Sequence, residues 1–263
     1  MEKLFIIKIG GNVLDDPQAL TAFLKDFAAI SEKKILIHGG GKIATRLGDK
    51  LGIKSNYVQG RRITDESTID LVTMVYGGLV NKQLVAGLQQ LDCNAFGVTG
   101  ADGNLIQAVK RPVKEIDYGY VGDITPKDVN VPLLGQLLYG GTVPVFAPLT
   151  HAGGSMLNTN ADTIASALAI AMGTQYDVRL IYCFERKGVL LNVADDSSVI
   201  THLTEAKYRQ MMAAKVLADG ILPKLENAFS SIRQGVREVL IGHAGDLIRN
   251  TGENTAGTLI TAA

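Results

Sequence analysis

Short apolar runs rich in β-branched residues recur along the chain, and each is followed by glycines and then by a helical pattern. The clearest runs are residues 4–9, 35–37, 143–146, 178–183 and 239–241. Strands that are apolar throughout are typical of parallel sheets covered on both faces, because half-exposed strands alternate with polar residues. We therefore expect an α/β fold, a three-layer αβα sandwich with a mainly parallel open central sheet. Ligands bind such sheets at the carboxyl ends of the strands.

Helical patterns fill most of the spaces between these runs. They cover residues 17–30, 65–90, 162–172 and 204–219, and the first of them makes a βαβ unit with the two strands beside it. Residues 93–131 contain glycine, aspartate and short strand-like pieces such as 118–124, which predicts a hairpin-bearing excursion near the ligand site. A chain of 263 residues lies close to the upper size for one hydrophobic core, so we expect one domain, 1–263, with two lobes.

The composition excludes several function classes. The chain has 26 Lys and Arg and 26 Asp and Glu, and this lack of cationic surplus argues against nucleic acid as a partner. No apolar run approaches the roughly 18–20 residues of a membrane span, and the N-terminus is unlike a signal peptide. Two cysteines are too few for a disulfide framework, and the histidines lack the spacing of zinc ligands. We expect a cytoplasmic protein.

Lys8 is an unusual residue for an apolar strand. An ammonium group in a buried parallel strand loses its hydration, which is costly unless the charge faces a bound anion. Gly10 and Gly11 follow at once, and glycines let backbone N–H groups approach a ligand closely. The alternative is a lysine at a sheet edge whose ammonium group reaches water.

The second strand ends in HGGGK, residues 38–42. Three glycines between a strand and a helix favour anion binding, because the helix N-terminus presents free N–H groups. The P-loop pattern fails, since Leu36 and Ile43 stand where Gly and Ser or Thr are required. A dinucleotide fingerprint matches loosely at 39–44, with Asp65 downstream, so nicotinamide binding is an alternative that leaves Lys8 unexplained.

Further polar residues open the later helical patterns. Arg62 has the planar fork that suits a carboxylate, although a surface arginine is the alternative. Asn158, Asn160 and Asp162 precede an apolar helix; Asp162 suits an N-cap or first turn, but three alternating polar side chains exceed what capping needs. Lys224 follows a proline at the start of another helix, where an exposed cation is the simpler interpretation.

The motifs IIKIGGN, HGGGK, GRRIT, LNTNAD, DGILPK and GTLI occur in this order from Lys3 to Ile260. In order and spacing the chain resembles the amino acid kinase family. The similarity is to members that use ATP with Mg²⁺ to phosphorylate the γ-carboxylate of N-acetyl-L-glutamate in arginine biosynthesis. N-succinyl-L-glutamate, a sibling amino acid or carbamate substrate, and a catalytically silent sensor are the alternatives.

The resemblance also implies roles for individual residues. Lys8 and Lys224 would stabilise the transition state, with Asp162 orienting both. Substrate binding is assigned to Gly11, Gly40, Gly41, Arg62, Asn158 and Asn160. Nucleotide binding is assigned to Glu185, Arg186, Lys187, Gly188, Val189, Leu190, Val216, Leu217 and Ala218. Residues 1–173 would form the acyl-glutamate lobe and 174–263 the ATP lobe.

The chain departs from the family pattern at three places, one of which is Ala101, where many relatives have lysine. Family members usually have Thr or Ser, Asp and Val where this chain has Phe184, Glu185 and Arg186. Hexameric, arginine-inhibited members have a helix before the first strand, whereas this sequence starts at that strand. From that resemblance we expect a homodimer without arginine feedback.

Overall fold

The centre of the molecule is an eight-stranded sheet. The structure is a computed structural model that describes residues 1–192, 194–214, 216 and 221–263. In chain order the strands are β1 (Lys3–Ile9), β2 (Lys33–His38), β3 (Tyr57–Val58), β4 (Arg61–Arg62), β5 (Ala95–Val98), β6 (Val109–Lys110), β7 (Gly122–Asp123), β8 (Val143–Phe146), β9 (Leu149–Ala152), β10 (Ser155–Asn158), β11 (Asp177–Phe184), β12 (His202–Thr204), β13 (Glu238–His243) and β14 (Thr258–Thr261). The sheet has the order β12-β14-β13-β11-β1-β2-β8-β5. Only the pair β13–β14 is antiparallel among its ladders, so the expected mainly parallel sheet is confirmed.

Helices cover both faces of this sheet. They are α1 (Gly11–Asp15), α2 (Pro17–Ala29), α3 (Gly41–Lys50), α4 (Glu66–Val72), α5 (Asn81–Gln89), α6 (Val131–Tyr139), α7 (Ala161–Met172), α8 (Glu205–Ala213), α9 (Leu222–Arg233) and α10 (Leu247–Thr251). A π-helical segment, Thr73–Val80, joins α4 to α5. Alternate residues of a strand point to opposite faces. Leu4 and Ile6 therefore join the core under α7 and α9, while Phe5 and Ile7 join the core under α2 and α5.

The structure corrects three details of the sequence interpretation. The helix expected over 204–219 ends at Ala213. The excursion over 93–131 does contain an antiparallel pair, β6 with β7, but it also supplies β5, the edge strand of the main sheet. The strand expected over 118–124 shortens to Gly122–Asp123, because Gly119 and Val121 form isolated bridges with Thr64 and Asn158.

The continuous helix Glu66–Gln89 has 24 residues and is apolar enough, by length and composition, to cross a membrane. It is the one such helix in the part of the chain that the structure describes. Its presence differs from the expectation that no apolar run reaches the length of a membrane span. Leu71, Val75 and Leu84 of this helix are buried in the core that it shares with α2 and the sheet. Packing against the protein core therefore accounts for part of its composition, whereas Met74 and Leu79 of the same helix are exposed.

Candidate active site

Lys8 lies near the carboxyl end of β1, in the interior of the sheet. It is paired with Tyr182 of β11 on one side and with Ile37 of β2 on the other, which excludes the alternative of a lysine at a sheet edge. Its side chain lies on the same face of β1 as Ile6, the face that α7 covers. Only 8% of Lys8 is exposed. An ammonium group so placed needs a charged partner.

Asp162, in the first turn of α7, is that partner. Its Oδ1 lies 2.7 Å from Nζ of Lys8. The N-cap of α7 is Asn160, whose side chain accepts a hydrogen bond of 3.0 Å from the backbone N–H of Thr163. Because Asn160 caps the helix, the Asp162 carboxylate is available to the lysine, and the capping role considered for Asp162 is wrong.

Lys224, from the C-terminal part of the chain, lies near Lys8 and Asp162. It is the third residue of α9, and its Nζ lies 3.7 Å from the ring centroid of Phe184, the last residue of β11. Nζ of Lys8 lies 5.6 Å from that centroid. Burial lowers the pKa of Lys224, and the charge of Lys8 lowers it further against the opposing effect of Asp162. We call Lys8, Lys224 and Asp162 the lysine cluster.

The glycine turn, residues 39–41, borders the lysine cluster. Gly40 has φ of +154°, and a Cβ atom there would lie 2.8 Å from the ring of Tyr76, so both the backbone and the packing require glycine. Helix α3 begins at Gly41, and the N–H groups of its first turn have no partner within the helix. The glycine turn, Gly11, Lys8 and Phe184 line a cavity of about 340 Å³, the lysine cavity. Cations and backbone N–H groups make it suitable for an anion.

A histidine fixes the start of this turn. Nδ1 of His38 lies 2.6 Å from the carbonyl oxygen of Gly39, and its Nε2 lies 3.2 Å from the amide nitrogen of Asn81. A carbonyl only accepts, so Nδ1 donates and Nε2 accepts from Asn81. Burial lowers the pKa of His38 to about 4. The neutral ring therefore holds the turn against α5.

A second cavity, of about 240 Å³, also borders the glycine turn and is lined by Arg62 and Asn158. Arg62 is only 6% exposed, which excludes the interpretation as a surface arginine. Its guanidinium group donates to the carbonyl of Gly41 and to Oγ1 of Thr45, both at 2.9 Å. We call this the arginine cavity. It shares the glycine turn and Ala161 with the lysine cavity.

The residues assigned to the nucleotide fall into different environments. Glu185, Arg186 and Lys187 are exposed after β11, and Glu185 lines the lysine cavity. Gly188, Val189 and Leu190 are buried, and the N–H of Val189 donates to Oγ1 of Thr258 at 2.8 Å. Val216 is exposed, whereas Leu217 and Ala218 lie outside the described residues.

Cys183 also lines the lysine cavity. It is buried, and this burial raises the pKa of its thiol to about 12. A thiolate is the nucleophilic form of cysteine, so this side chain stays protonated and supplies no nucleophile.

Comparison with known proteins shows to which family the chain belongs. The model of the amino acid kinase family matches residues 3–243. The chain belongs to this family. Acetylglutamate kinase of Cytophaga hutchinsonii is 52% identical to it over 100% of both chains, and the enzyme of that name from Bacteroides thetaiotaomicron is 54% identical over 95% of this chain and 97% of its own.

Solved structures agree on the amino acid kinase fold. The protein smu.665 from Streptococcus mutans has a TM-score of 0.77 at 28% identity, with 99% of both chains covered. Carbamate kinase from Giardia lamblia has a TM-score of 0.73 at 11% identity, with 100% of this chain and 99% of its own covered. At such low identity the second match supports the fold alone.

Sequence reasoning did not assign three residues that line these two cavities. Lys42 lines the lysine cavity and contacts the side chain of Asn12; its position directly after the glycine turn could have indicated this. Arg111 lines the arginine cavity, held by Asp123, and no local pattern marks it. Phe184 was noted as a departure from the family, but its contact with two lysines depends on tertiary structure.

Proposed function

We propose that this chain catalyses transfer of the γ-phosphoryl group of ATP to the γ-carboxylate of N-acetyl-L-glutamate, giving the acyl phosphate and ADP. The observation that carries the proposal is the lysine cluster, which meets the arginine cavity at one glycine turn. The relatives named acetylglutamate kinase, similar over nearly their whole length, support the choice of acceptor. A place in arginine biosynthesis is part of the proposal.

The chemistry requires charge neutralisation more than proton transfer. A glutamate γ-carboxylate, with a pKa of about 4.3, is already ionised at neutral pH and needs no general base. Its approach to the polyanionic nucleotide is opposed by charge repulsion. Catalysis of phosphoryl transfer therefore depends on positioning and on groups that neutralise the transferred phosphoryl.

The lysine cluster supplies that neutralisation. In the proposal Lys8 and Lys224 bind oxygens of the transferred group, while Asp162 holds Lys8 at the 2.7 Å observed. An oxygen of the acceptor carboxylate forms the new bond to the γ-phosphorus as the bond to the β,γ-bridging oxygen breaks, and ADP leaves with that electron pair. The N–H groups of Gly11, Gly40 and Gly41 donate to the phosphoryl oxygens.

The arginine cavity would hold the rest of the acceptor. Arg62 is placed to bind the α-carboxylate, and Asn158 the N-acyl amide. The Asn158 side chain already donates to Oγ1 of Thr64 at 3.1 Å, which leaves its carbonyl oxygen to accept the amide N–H of the acceptor. Asn160 contributes by capping α7 and so by fixing Asp162.

The nucleotide would lie across residues 174–263, with the acceptor on residues 1–173. The lysine cluster supports this division, because Lys8 and Asp162 come from the first part and Lys224 from the second. Glu185–Leu190 and Val216–Ala218 remain the proposed nucleotide contacts. We propose that Mg²⁺ enters on the phosphates of ATP, since this ion prefers phosphate oxygens and water. The described residues gather no cluster of three acidic, His or Cys ligands.

A homodimer in the cytoplasm is also part of the proposal. The edge strand β5 exposes Phe96, and the neighbouring helix exposes Met74 and Leu79. Exposed apolar residues beside an open sheet edge favour association. Both cysteines are free and buried, which suits a reducing compartment. Sedimentation of the purified chain tests the dimer directly.

The activity is tested by trapping the product. The chain is incubated with ATP, Mg²⁺ and hydroxylamine, which converts acyl phosphates to coloured hydroxamates, and with N-acetyl-L-glutamate, N-succinyl-L-glutamate, glutamate or aspartate in parallel. Colour with N-acetyl-L-glutamate is expected. Colour only with the succinyl compound or a free amino acid would move the chain to another acceptor, and no colour despite ATP binding would favour a silent sensor.

A variant of Lys8 tests the site. Lys8→Met removes the ammonium group and keeps an apolar stem, so kcat should fall about 100- to 1,000-fold with a smaller change in KM, which is typical for loss of one transition-state donor. The matched control is Lys3→Met at the exposed start of the same strand. Turnover of Lys8→Met equal to that of the control would refute the assigned role.

A further inference from the structure

Phe184 occupies the position between the two lysines of the site. Its ring centroid lies 3.7 Å from Nζ of Lys224 and 5.6 Å from Nζ of Lys8. An aromatic face attracts a cation placed within about 6 Å of its centroid. The Phe184 ring therefore places a cation-binding surface inside the lysine cluster.

The charges in the cluster explain what this surface does. Two ammonium groups face one carboxylate at close range, and the Asp162 carboxylate is 2.7 Å from Lys8. The charged groups that face Lys224 are Lys8 from β1, Asp162 from α7 and Glu185 from the segment after β11. Lys224 is therefore repelled by the positive charge of Lys8, whereas the Asp162 carboxylate is in direct contact with Lys8. The ring gives the half-buried ammonium group a contact that the carboxylate does not provide.

The ring is itself held in place by its neighbours. Tyr182, two residues earlier on β11, stacks with Phe184 at a centroid distance of 6.1 Å and an interplanar angle of 16°. The hydroxyl of Tyr182 donates to the backbone carbonyl of Asp162 at 3.3 Å. The position of the ring is therefore coupled to the turn of α7 that carries the Asp162 carboxylate.

We propose that Phe184 is a positioning residue for phosphoryl transfer: its aromatic face holds the Lys224 ammonium group beside Lys8. The proposal rests on the roles given above to the two lysines. It differs from them because Phe184 contacts no reacting atom and acts through Lys224. The face of the ring also favours the charged form of that lysine.

The test compares ring-lacking and ring-keeping variants. Phe184→Leu should lower kcat about 3- to 30-fold, the range of a partly desolvated cation–π contact, and Phe184→Tyr should restore most of it. The alkaline limb of the kcat–pH profile should move to lower pH by about 0.5 to 1.5 in Phe184→Leu and should stay in place in Phe184→Tyr. A role in packing alone would not move this limb.

Phe229→Leu is the matched control. Phe229 lies on α9 five residues after Lys224, is fully buried and stacks with Tyr208 at 4.7 Å, so its truncation costs packing on the same helix. Its kcat–pH profile should match the wild type. If Phe184→Leu does not fold, Phe184→Met provides a second ring-lacking side chain, to be judged by the same readouts.

The outcomes separate this inference from the proposed function. A folded Phe184→Leu or Phe184→Met with wild-type kcat and an unmoved alkaline limb would overturn the inference, while the proposed activity would stand if Lys8→Met is inactive. Full activity in Lys8→Met would instead overturn the lysine roles and with them the premise of the inference. A loss of kcat in Phe184→Leu that is recovered in Phe184→Tyr supports both the inference and the proposed function.

Discussion

The neutral His38 makes the stability of this protein depend on pH in a defined window. The ring is fully buried at the end of β2, between the Gly39 carbonyl and Asn81. Protonation of the ring at Nε2 would place an N–H group opposite the amide N–H of Asn81. Two donors would then face each other, and their present hydrogen bond would be lost. Burial lowers the pKa of His38 from 6.5 in the unfolded chain to about 4 in the fold. Below pH 6.5 the unfolded state binds a proton that the folded state does not.

The magnitude follows from this difference in proton binding. Stability rises with pH wherever the unfolded state binds more protons, and each pKa unit corresponds to about 1.4 kcal/mol. Between pH 7 and pH 4, the two pKa values of His38 give a loss of about 3 kcal/mol in the free energy of unfolding. The contribution is fully present above pH 6.5 and is lost as the pH falls towards 4.

The measurement is urea unfolding of the wild type and of His38→Gln at a series of pH values from 4 to 7. At pH 7 the variant is less stable than the wild type, since one of the two hydrogen bonds of His38 changes. The quantity to compare is the free energy of unfolding of the wild type minus that of the variant. It should fall by about 3 kcal/mol on going from pH 7 to pH 4, because other titrating groups act equally on both proteins. A constant difference across this range would refute the reasoning.

Two further predictions concern single residues. Arg62→Lys should raise KM for the acceptor about 10- to 100-fold, the value of a lost charge-assisted hydrogen bond. Steady-state kinetics checks this, and a fall in kcat alone would instead assign Arg62 to holding the Gly41 carbonyl. Gly257→Ala should lower the free energy of unfolding by about 1–3 kcal/mol, because its Cβ would lie 2.5 Å from the Ile241 carbonyl oxygen. Gly78, with open space around its Cβ position, is the control for urea unfolding, and equal effects of both alanines would contradict the steric argument.

Much of the fold could be predicted because its signals are local. The continuous apolar runs predicted the central parallel strands, with ends that differ by at most two residues from the structure. Strand β5 was missed because Phe96 is exposed and Gly97 lies inside the strand, so its short sequence lacks an apolar run. Its place in the sheet is set by pairing with β8, and that pairing is a long-range contact.

The individual site residues were marked by their misfit to local patterns. A lysine in an apolar strand and three glycines before a helix are costly or unusual unless they serve a ligand. The partners of these residues were not marked in the same way. The sequence suggested Asp162 as a cap of α7, and only the structure gives the cap to Asn160 and the Asp162 carboxylate to Lys8.

The sequence by itself determined the class of fold, the glycine turn and the presence of a lysine inside an apolar strand, since hydrophobic periodicity and backbone freedom are properties of neighbouring residues. The tertiary structure decided which charges meet. Lys8 and Lys224 are more than two hundred positions apart in the chain, and their approach to one carboxylate and one aromatic ring depends on the order of β1, β11, α7 and α9 in space. Electrostatic and cation–π contacts depend on distance between atoms, and that distance is set by packing rather than by sequence separation.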